Sequence, residues 1–496
     1  MNERFSAQEK SNAKGWPTLS VKERAKAIAK LRQNIARRQV EIAETIAGET
    51  GKPVTEALNQ EVTAALGMLR YFEKEYPRWL RERKFRYWRP GFWTKSNVIL
   101  FEPLGKIAII GPSNFPFSLP LMAACSSLLC GNTAVLKPSE YCPRTTDIMS
   151  SLIQESGLAD GLFEIVRGGP EVSRDVIAQP EVRKVIFFGS FESGSEVAEI
   201  CGRHFKPCLL ELGGGSAAIV CEEADLSWTA KGIAWSAFSA AGRSCVGTKQ
   251  VFVHSSINKM FVSLLLEEMK ALRLGEALDP AVEMASSTPS KSLAKLKEIV
   301  LDALNKGAQV WTQRGRVNDV SSTALGGPIV LLNLAPEMRA AWPGEEIETP
   351  VLCIREVASV DQAIDEANAY LSGLGASVWS NNLRKARAIA RKIKAGLIWI
   401  NDSSVGLPQF PWGGMNRSGW GRLFSEVGLT ELASVKVISA EKRPGGRRKF
   451  WWFPYSREKH SAFLALNELL YGQRRAKKIF SLIASLIRNF LQTRRY

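Results

Sequence analysis

Apolar residues recur at helical spacing from Ala25 to Ile46, behind Ser20 and Glu23, whose S-x-x-E spacing lets each side chain satisfy the other's backbone N–H at a helix start. Gly51 and Pro53 end that helix, and a second helical stretch follows from Thr55 to Glu75. The segment WLRERKFRYWRPGFW has no clean period and is expected to form a connecting arm. From 105 the pattern changes: the short apolar runs GKIAIIG, TAVLKP, LFEIVRG and KVIFFGS alternate with amphipathic stretches that end near Cys130, Gly157 and His204. This βα repetition predicts a parallel sheet covered on both faces, a common host for a dinucleotide. A second α/β set is expected from Pro207 onward, through LLELGGG, AAIV, a helix over 225–240, QVFVH, TPVLCIR, ASVWS and GLIWIN. The late segment LTELASVKVIS, 429–439, returns to strand composition and is expected to pair with a neighbour's sheet.

Length and charge refine this picture. A chain of 496 residues exceeds one ordinary core, which rarely grows beyond about 250–300 residues. The expected organisation is therefore a dinucleotide lobe with its N-terminal helices (1–206), a second α/β lobe (207–400), a return segment with the strand (401–441) and a tail (442–496). The first residues, MNERFSAQEKSNAKGW, lack the apolar stretch of a secretory signal, and no run of about 18 apolar residues occurs, so the body is expected in the cytoplasm. Eight cysteines form no CxxC pair and only three histidines are present, which argues against a zinc cluster and a disulfide framework. Of the net charge of +17, residues 442–496 carry +12, with 14 Lys or Arg against Glu458 and Glu468. The basic balance thus belongs to the tail and implies an anionic surface there.

Within that tail, QRRAKKIFSLIASLIRNFLQTRRY sets apolar residues at 479, 480, 483, 486, 487, 490 and 491, a helical stripe flanked by basic residues. Its longest apolar-and-small run is about nine residues against the roughly 20 needed to span a bilayer, so an amphipathic helix lying on an anionic membrane is expected. The aromatic cluster KFWWFPY at 449–455 suits the headgroup zone. The alternative is packing on the chain's own lobes or on a partner subunit. No nucleic-acid module accompanies the basic residues, and no nucleic-acid partner is expected.

Three segments carry chemistry. AAGRSCVGTKQVFVH sets Cys245 in a loop of small residues before a strand, open to a substrate, although a lone cysteine more often packs as a small hydrophobe. LLELGGGS places Glu211 at a strand end before three glycines, where a carboxylate can take a proton from water or merely accept turn hydrogen bonds. IIGPSNFPFSLP holds Asn114 between two prolines directly after a buried strand, suited to aiming an amide at an oxyanion or simply to making a turn.

In this order and spacing the segments resemble the aldehyde dehydrogenase superfamily over roughly residues 20–440, through PSNFP, LKPSE, FFGSFESG, ELGG, GRSC, EEI with TPVL, and WGGMNRSGWGR. EPLG, the short N-terminal arm and the long tail are most similar to the class 3, fatty-aldehyde branch. The resemblance implies the fold of that family: an α/β architecture with a dinucleotide-binding parallel-sheet lobe, an α/β catalytic lobe and an oligomerisation strand in a homodimer or larger assembly. It implies Cys245 as catalytic thiol, Glu211 as general base and Asn114 with the Cys245 backbone N–H as oxyanion donors. A thiolate adduct on an aldehyde can lose hydride where a flat carbonyl cannot, and the resulting thioester needs activated water. For the cofactor it implies Gly189, Ser190 and Gly194 at the pyrophosphate turn, Lys137 and Glu140 at the adenosine ribose, and Glu346 at the nicotinamide ribose. A carboxylate at Glu140 would repel a 2′-phosphate, so NAD is expected over NADP.

The expected reaction is oxidation of a lipophilic aldehyde, fatty or polyene such as an apocarotenoid, to its acid. A CoA-acylating enzyme would need a water-activating base less, and an inactive structural homologue would have little reason to keep the trio. Three positions depart from the family pattern: Glu348 stands where an aromatic residue is usual, ELGGGSA lacks the usual Lys and Pro, and Arg243 replaces the common Gln.

Overall fold

The computed structural model describes residues 15–86, 92, 94–285, 290–317, 326–334, 348–369, 372–442, 449 and 451–472. The chain divides into a large unit, residues 1–81 with 101–435, and a small one, residues 82–100 with 436–496.

At the N-terminus the capping box forms as the pattern predicts, with the Ser20 N–H donating to Glu23 at 2.7 Å and the Glu23 N–H donating to the Ser20 hydroxyl at 3.3 Å. The single helix expected to Ile46 is two, Val21–Arg37 and Gln39–Thr50, broken where Arg38 takes φ −102°, ψ 18°. Arg38 reaches across to Ser151 and Glu155, a long-range contact invisible to local periodicity. Gly51 closes the second helix at φ +67°, the left-handed turn its missing Cβ allows. The next helical stretch starts with a turn at Val54–Glu56, widens into π-helix over Ala57–Thr63 and continues as α-helix over Ala64–Trp79. Such π segments inside helices often accompany functional positions.

Two sheets build the large unit. One has six strands in the order Gly419–Trp420, Cys208–Leu212, Val182–Gly189, Lys106–Ile110, Thr133–Lys137 and Phe163–Ile165. All neighbours in it are parallel except the short Gly419–Trp420 edge strand. The other has eight, ordered Gly315–Val317, Gln309–Thr312, Ile329–Leu332, Val351–Val357, Thr248–His254, Ser216–Val220, Gly375–Trp379 and Leu397–Ile400. The strand Cys208–Leu212, expected to open the second set at Pro207, instead lies in the first sheet beside Val182–Gly189. The crossing therefore falls after Leu212, at the three glycines. Apolar runs alone cannot show this, because strands of both sheets are buried on both faces and look alike.

Arg83–Phe85, Lys95–Pro103 and Ala433–Glu441 form a three-stranded sheet in that order. The late strand thus pairs within its own chain, and most of its side chains are exposed. A helix spans Arg457–Tyr471, capped by Ser456, whose hydroxyl accepts from the Lys459 N–H at 3.1 Å. Residues 473–496, where the amphipathic helix is expected, lie outside the described residues. Among the described residues no helix is long and apolar enough to cross a membrane.

Candidate active site

Carboxyl ends of parallel strands are where open α/β sheets bind ligands, and four of them bring polar residues to one edge here. Asn114 follows Lys106–Ile110, Lys137 closes Thr133–Lys137, Gly189 closes Val182–Gly189, and Glu211 lies one residue before the end of Cys208–Leu212. The eight-stranded sheet adds the loop before Thr248–His254, which carries Cys245. A cleft of about 360 Å³ joins them, lined by Asn114, Lys137, Glu140, Gly189, Ser190, Glu211 and Cys245.

All eight cysteines are thiols, and only Cys245 and Cys208 are more than marginally exposed. Cys245 alone lines the cleft. Around it Val246, Leu374, Leu397, Trp399 and Trp412 form an apolar cluster, so the thiol stands at a greasy end of the cavity. Asn114 is nearly buried, and its amide donates one N–H to the Arg243 carbonyl at 2.8 Å while its oxygen accepts from the Phe115 N–H at 3.0 Å. The side chain is therefore held at both ends.

Glu211 differs sharply from a surface glutamate. Neither carboxylate oxygen has a hydrogen-bond partner among the described residues. Burial pushes its pKa well above the usual carboxylate range, with the charge of Arg422 acting weakly the other way. An unpaired buried carboxyl is costly, which is why such groups tend to mark function rather than packing.

Along the other wall, the buried Lys137 ammonium pairs with Glu140 at 2.7 Å. Burial would raise the Glu140 pKa, but the hydrogen bond from Lys137, one from the backbone and the Lys137 charge together outweigh it and the net shift is downward, so the carboxylate stays ionised. Ser190 caps the helix Phe191–Arg203 by accepting from the Ser193 N–H at 3.3 Å. Gly194 does not line the cleft: a Cβ there would meet Leu212 at 2.6 Å, so the glycine lets the helix pack closely on its strand. Glu346 lies outside the described residues, whereas its neighbour Glu348 lines the cleft. Sequence reasoning places a short helix between LFEIVRG and KVIFFGS but assigns it no part in the site, whereas that helix, Pro170–Ala178, contributes Pro170, Ser173, Arg174 and Ile177. A short amphipathic helix carries no mark that separates this face from an ordinary packing face.

These residues fit a dinucleotide. The cavity has the volume typical of ligand sites, about 300–1,000 Å³. Its wall combines a helix N-terminus suited to an anion with a lysine–glutamate pair suited to a ribose. A thiol, an unpaired carboxyl and an anchored amide share the same space.

The Aldehyde dehydrogenase family model matches residues 3–438. The chain belongs to this family. A succinate-semialdehyde dehydrogenase [NADP(+)] of Deinococcus radiodurans is 32% identical over 425 residues, 86% of this chain and 87% of that protein. A 4,4'-diapolycopene aldehyde oxidase of Methylomonas sp is 31% identical over 461 residues, 92% and 85% of the two chains. The crystal structure of an NAD-dependent aldehyde dehydrogenase from Sinorhizobium meliloti superposes with a TM-score of 0.81 at 30% identity, covering 90% of this chain and 88% of that one. This aldehyde dehydrogenase is thus an oxidoreductase acting on aldehydes with a nicotinamide dinucleotide, NAD or NADP.

Proposed function

We propose that this aldehyde dehydrogenase oxidises a lipophilic aldehyde to its carboxylic acid through a covalent adduct on Cys245. The convergence of Cys245, Asn114 and the unpaired Glu211 in one cleft carries the reading. The Cys245 sulfur, as thiolate, adds to the carbonyl carbon, and the oxygen becomes an alkoxide that accepts from the Asn114 amide and the Cys245 backbone N–H. Lys137, Glu140, Ser190 and the first turn of Phe191–Arg203 hold the dinucleotide. When bound, it supplies the hydride acceptor. Glu211 then takes a proton from water, the water oxygen attacks the Cys245 thioester, and the acid leaves as the sulfur regains its thiolate. The unpaired base is the reason to favour water over a thiol such as CoA as the acyl acceptor.

The apolar cluster around Cys245 supports a lipophilic substrate, as does similarity to an enzyme named for a polyene aldehyde. The exposed Trp452, Phe453 and Tyr455 before the helix Arg457–Tyr471 suit a headgroup zone. An aldehyde panel from short-chain to polyene, read by NADH and NADPH formation, tests the substrate: kcat/KM should rise with chain length, and a maximum at the shortest members would overturn the lipophilic reading.

The ion pair of Lys137 with Glu140 predicts NAD preference. Glu140→Ala should remove repulsion of a 2′-phosphate and release the Lys137 ammonium to meet it. The NAD-to-NADP ratio of kcat/KM should fall on the order of tenfold. A wild-type enzyme that already prefers NADP would refute this reading of Glu140.

For the tail, residues 473–496 hold seven Lys or Arg with the apolar stripe, each basic residue adding roughly 1 kcal/mol near an anionic surface. Deleting 473–496 should lower partitioning onto anionic vesicles on the order of 10⁵-fold while leaving turnover of a short soluble aldehyde unchanged. Salt should weaken binding of the full chain without abolishing it, because screening leaves the apolar contribution. Undiminished vesicle binding after truncation would sink the membrane assignment and make the tail a packing or assembly element. The late strand Ala433–Glu441, at the end of its sheet's order, is the edge we assign to a homodimer or larger assembly.

A further inference from the structure

Three consecutive residues before the catalytic thiol sit in the left-handed region: Ala240 at φ +50°, Ala241 at φ +52° and Gly242 at φ +72°. Glycine is required at 242, where a Cβ would lie 2.3 Å from the Thr349 carbonyl oxygen. The two alanines have no such freedom, and a left-handed run persists only when its surroundings over-determine it. Here they do. Glu56 accepts from the Ala240 N–H at 2.7 Å. The Arg243 guanidinium donates to the Ala240 carbonyl at 3.1 Å and to the Thr50 carbonyl. The buried Lys249 ammonium donates to the carbonyls of Gly242 and Thr349.

The same N-terminal segment grips the other half of the site. Lys52, fully buried, stacks over the Phe115 ring at 3.6 Å and pairs with Glu61 at 2.9 Å. Glu61 in turn accepts from the Ser118 N–H at 2.8 Å. The stretch 50–61, with its π-helical second half, therefore touches both the loop of Asn114 and the loop of Cys245.

We infer that Glu56 and Arg243 are positioning residues for the oxyanion site: they hold the left-handed turn of residues 240–242, directly after which the Arg243 carbonyl anchors the Asn114 amide and the chain continues to Cys245. The inference rests on the proposed roles of Asn114 and Cys245. One amide hydrogen of Asn114 is used by the Arg243 carbonyl, which leaves the other for the developing alkoxide, and displacement of that carbonyl turns the donor away. Arg243 is one of the positions where the chain departs from its family's pattern. Its guanidinium supplies a forked set of donors that glutamine lacks.

Burial pushes Glu56 up to about 7, against the hydrogen bond from Ala240 and the charges of Lys52 and Arg243 that face it. Arg243 itself faces Glu348 and Cys142, and Lys52 faces Glu61. Below that pH the protonated carboxyl is a weaker acceptor and no longer balances Arg243. The turn should loosen in acid and tighten as pH rises.

Stopped-flow NADH bursts with a soluble aldehyde, alongside NAD affinity by fluorescence, test this between about pH 5.5 and 9. Glu56→Ala and Arg243→Met should each slow the burst on the order of 10- to 100-fold with cofactor affinity unchanged within about twofold. Glu56→Gln keeps an acceptor for Ala240 but stays uncharged, so its burst should match the wild-type acid limb at every pH, faster than Glu56→Ala, and lose the component of the pH profile that inflects near 7. Folded Ala and Met variants with wild-type bursts would overturn the inference. So would a Glu56→Gln enzyme as slow as Glu56→Ala with the inflection intact. If the Ala variant does not fold, the Glu56→Gln profile decides alone. Asn114→Ala and Cys245→Ala serve as parallel controls: bursts surviving in them refute the proposed roles themselves, whereas bursts lost in them but kept in the Glu56 and Arg243 variants refute only the positioning.

Discussion

Cys245→Ala should lower turnover on the order of 10⁴-fold or more, the scale seen when the nucleophile of a covalent enzyme is removed, or about 5.5 kcal/mol of transition-state stabilisation. The expectation follows from position. Among eight thiols it is the one in the cleft, six of the others being buried. Burial pushes Cys142 up to about 12 and Cys221 up to about 11, so neither supplies thiolate near neutral pH. Cys208 is drawn down to about 7, first by a hydrogen bond from Cys201, yet it lies outside the cleft lining. Cys208→Ala should therefore leave turnover near wild type, and cofactor binding should survive in Cys245→Ala. Undiminished turnover of Cys245→Ala would end the covalent mechanism.

Glu211→Gln should reduce steady-state turnover on the order of 10²- to 10⁴-fold while sparing the first hydride transfer, so that NADH appears as a burst of one equivalent per site. Mass spectrometry should then find the acyl group on the Cys245 peptide. Disappearance of the burst as well would mean that Glu211 acts before deacylation. As the proposed base, Glu211 works only when ionised, so wild-type steady-state turnover should climb as pH rises toward its raised pKa. The same shift has a consequence for stability. With a folded pKa above the unfolded one, the folded state binds more protons in between, and stability falls as pH rises through that window. Glutamine does not titrate. Thermal melts of Glu211→Gln should show a Tm above wild type in mild alkali, with the difference shrinking toward pH values below the ordinary carboxylate range. An equal difference at both ends would show that the carboxyl is not desolvated.

Much of the architecture was legible because the signals are local. Ser20 and Glu23 cap a helix by spacing alone, and a βα alternation records which segments are buried and with which period. Asn114, Glu211 and Cys245 stood out because each follows or precedes a strand among glycines, prolines or small residues that free the backbone. Strand ends of a parallel sheet converge on one edge, so residues at such ends were destined to meet.

The tertiary structure decided what depends on distant partners. It moved Cys208–Leu212 into the first sheet, because sheet membership is set by neighbours at any distance along the chain. It broke the first helix at Arg38, whose side chain is claimed by Ser151 and Glu155 more than a hundred residues on. It set Gly194 in close packing against Leu212, a contact its spacing in FFGSFESG does not show. Above all, it gave Glu56 and Arg243 their place. In the sequence one is an unremarked helix glutamate and the other a departure from a motif; in three dimensions they meet across 187 positions at the turn that carries the thiol. Residue types and local spacing determine which groups can do chemistry, but their hydration and mutual aim arise only when remote segments exclude water around them, and that is a property of the folded chain.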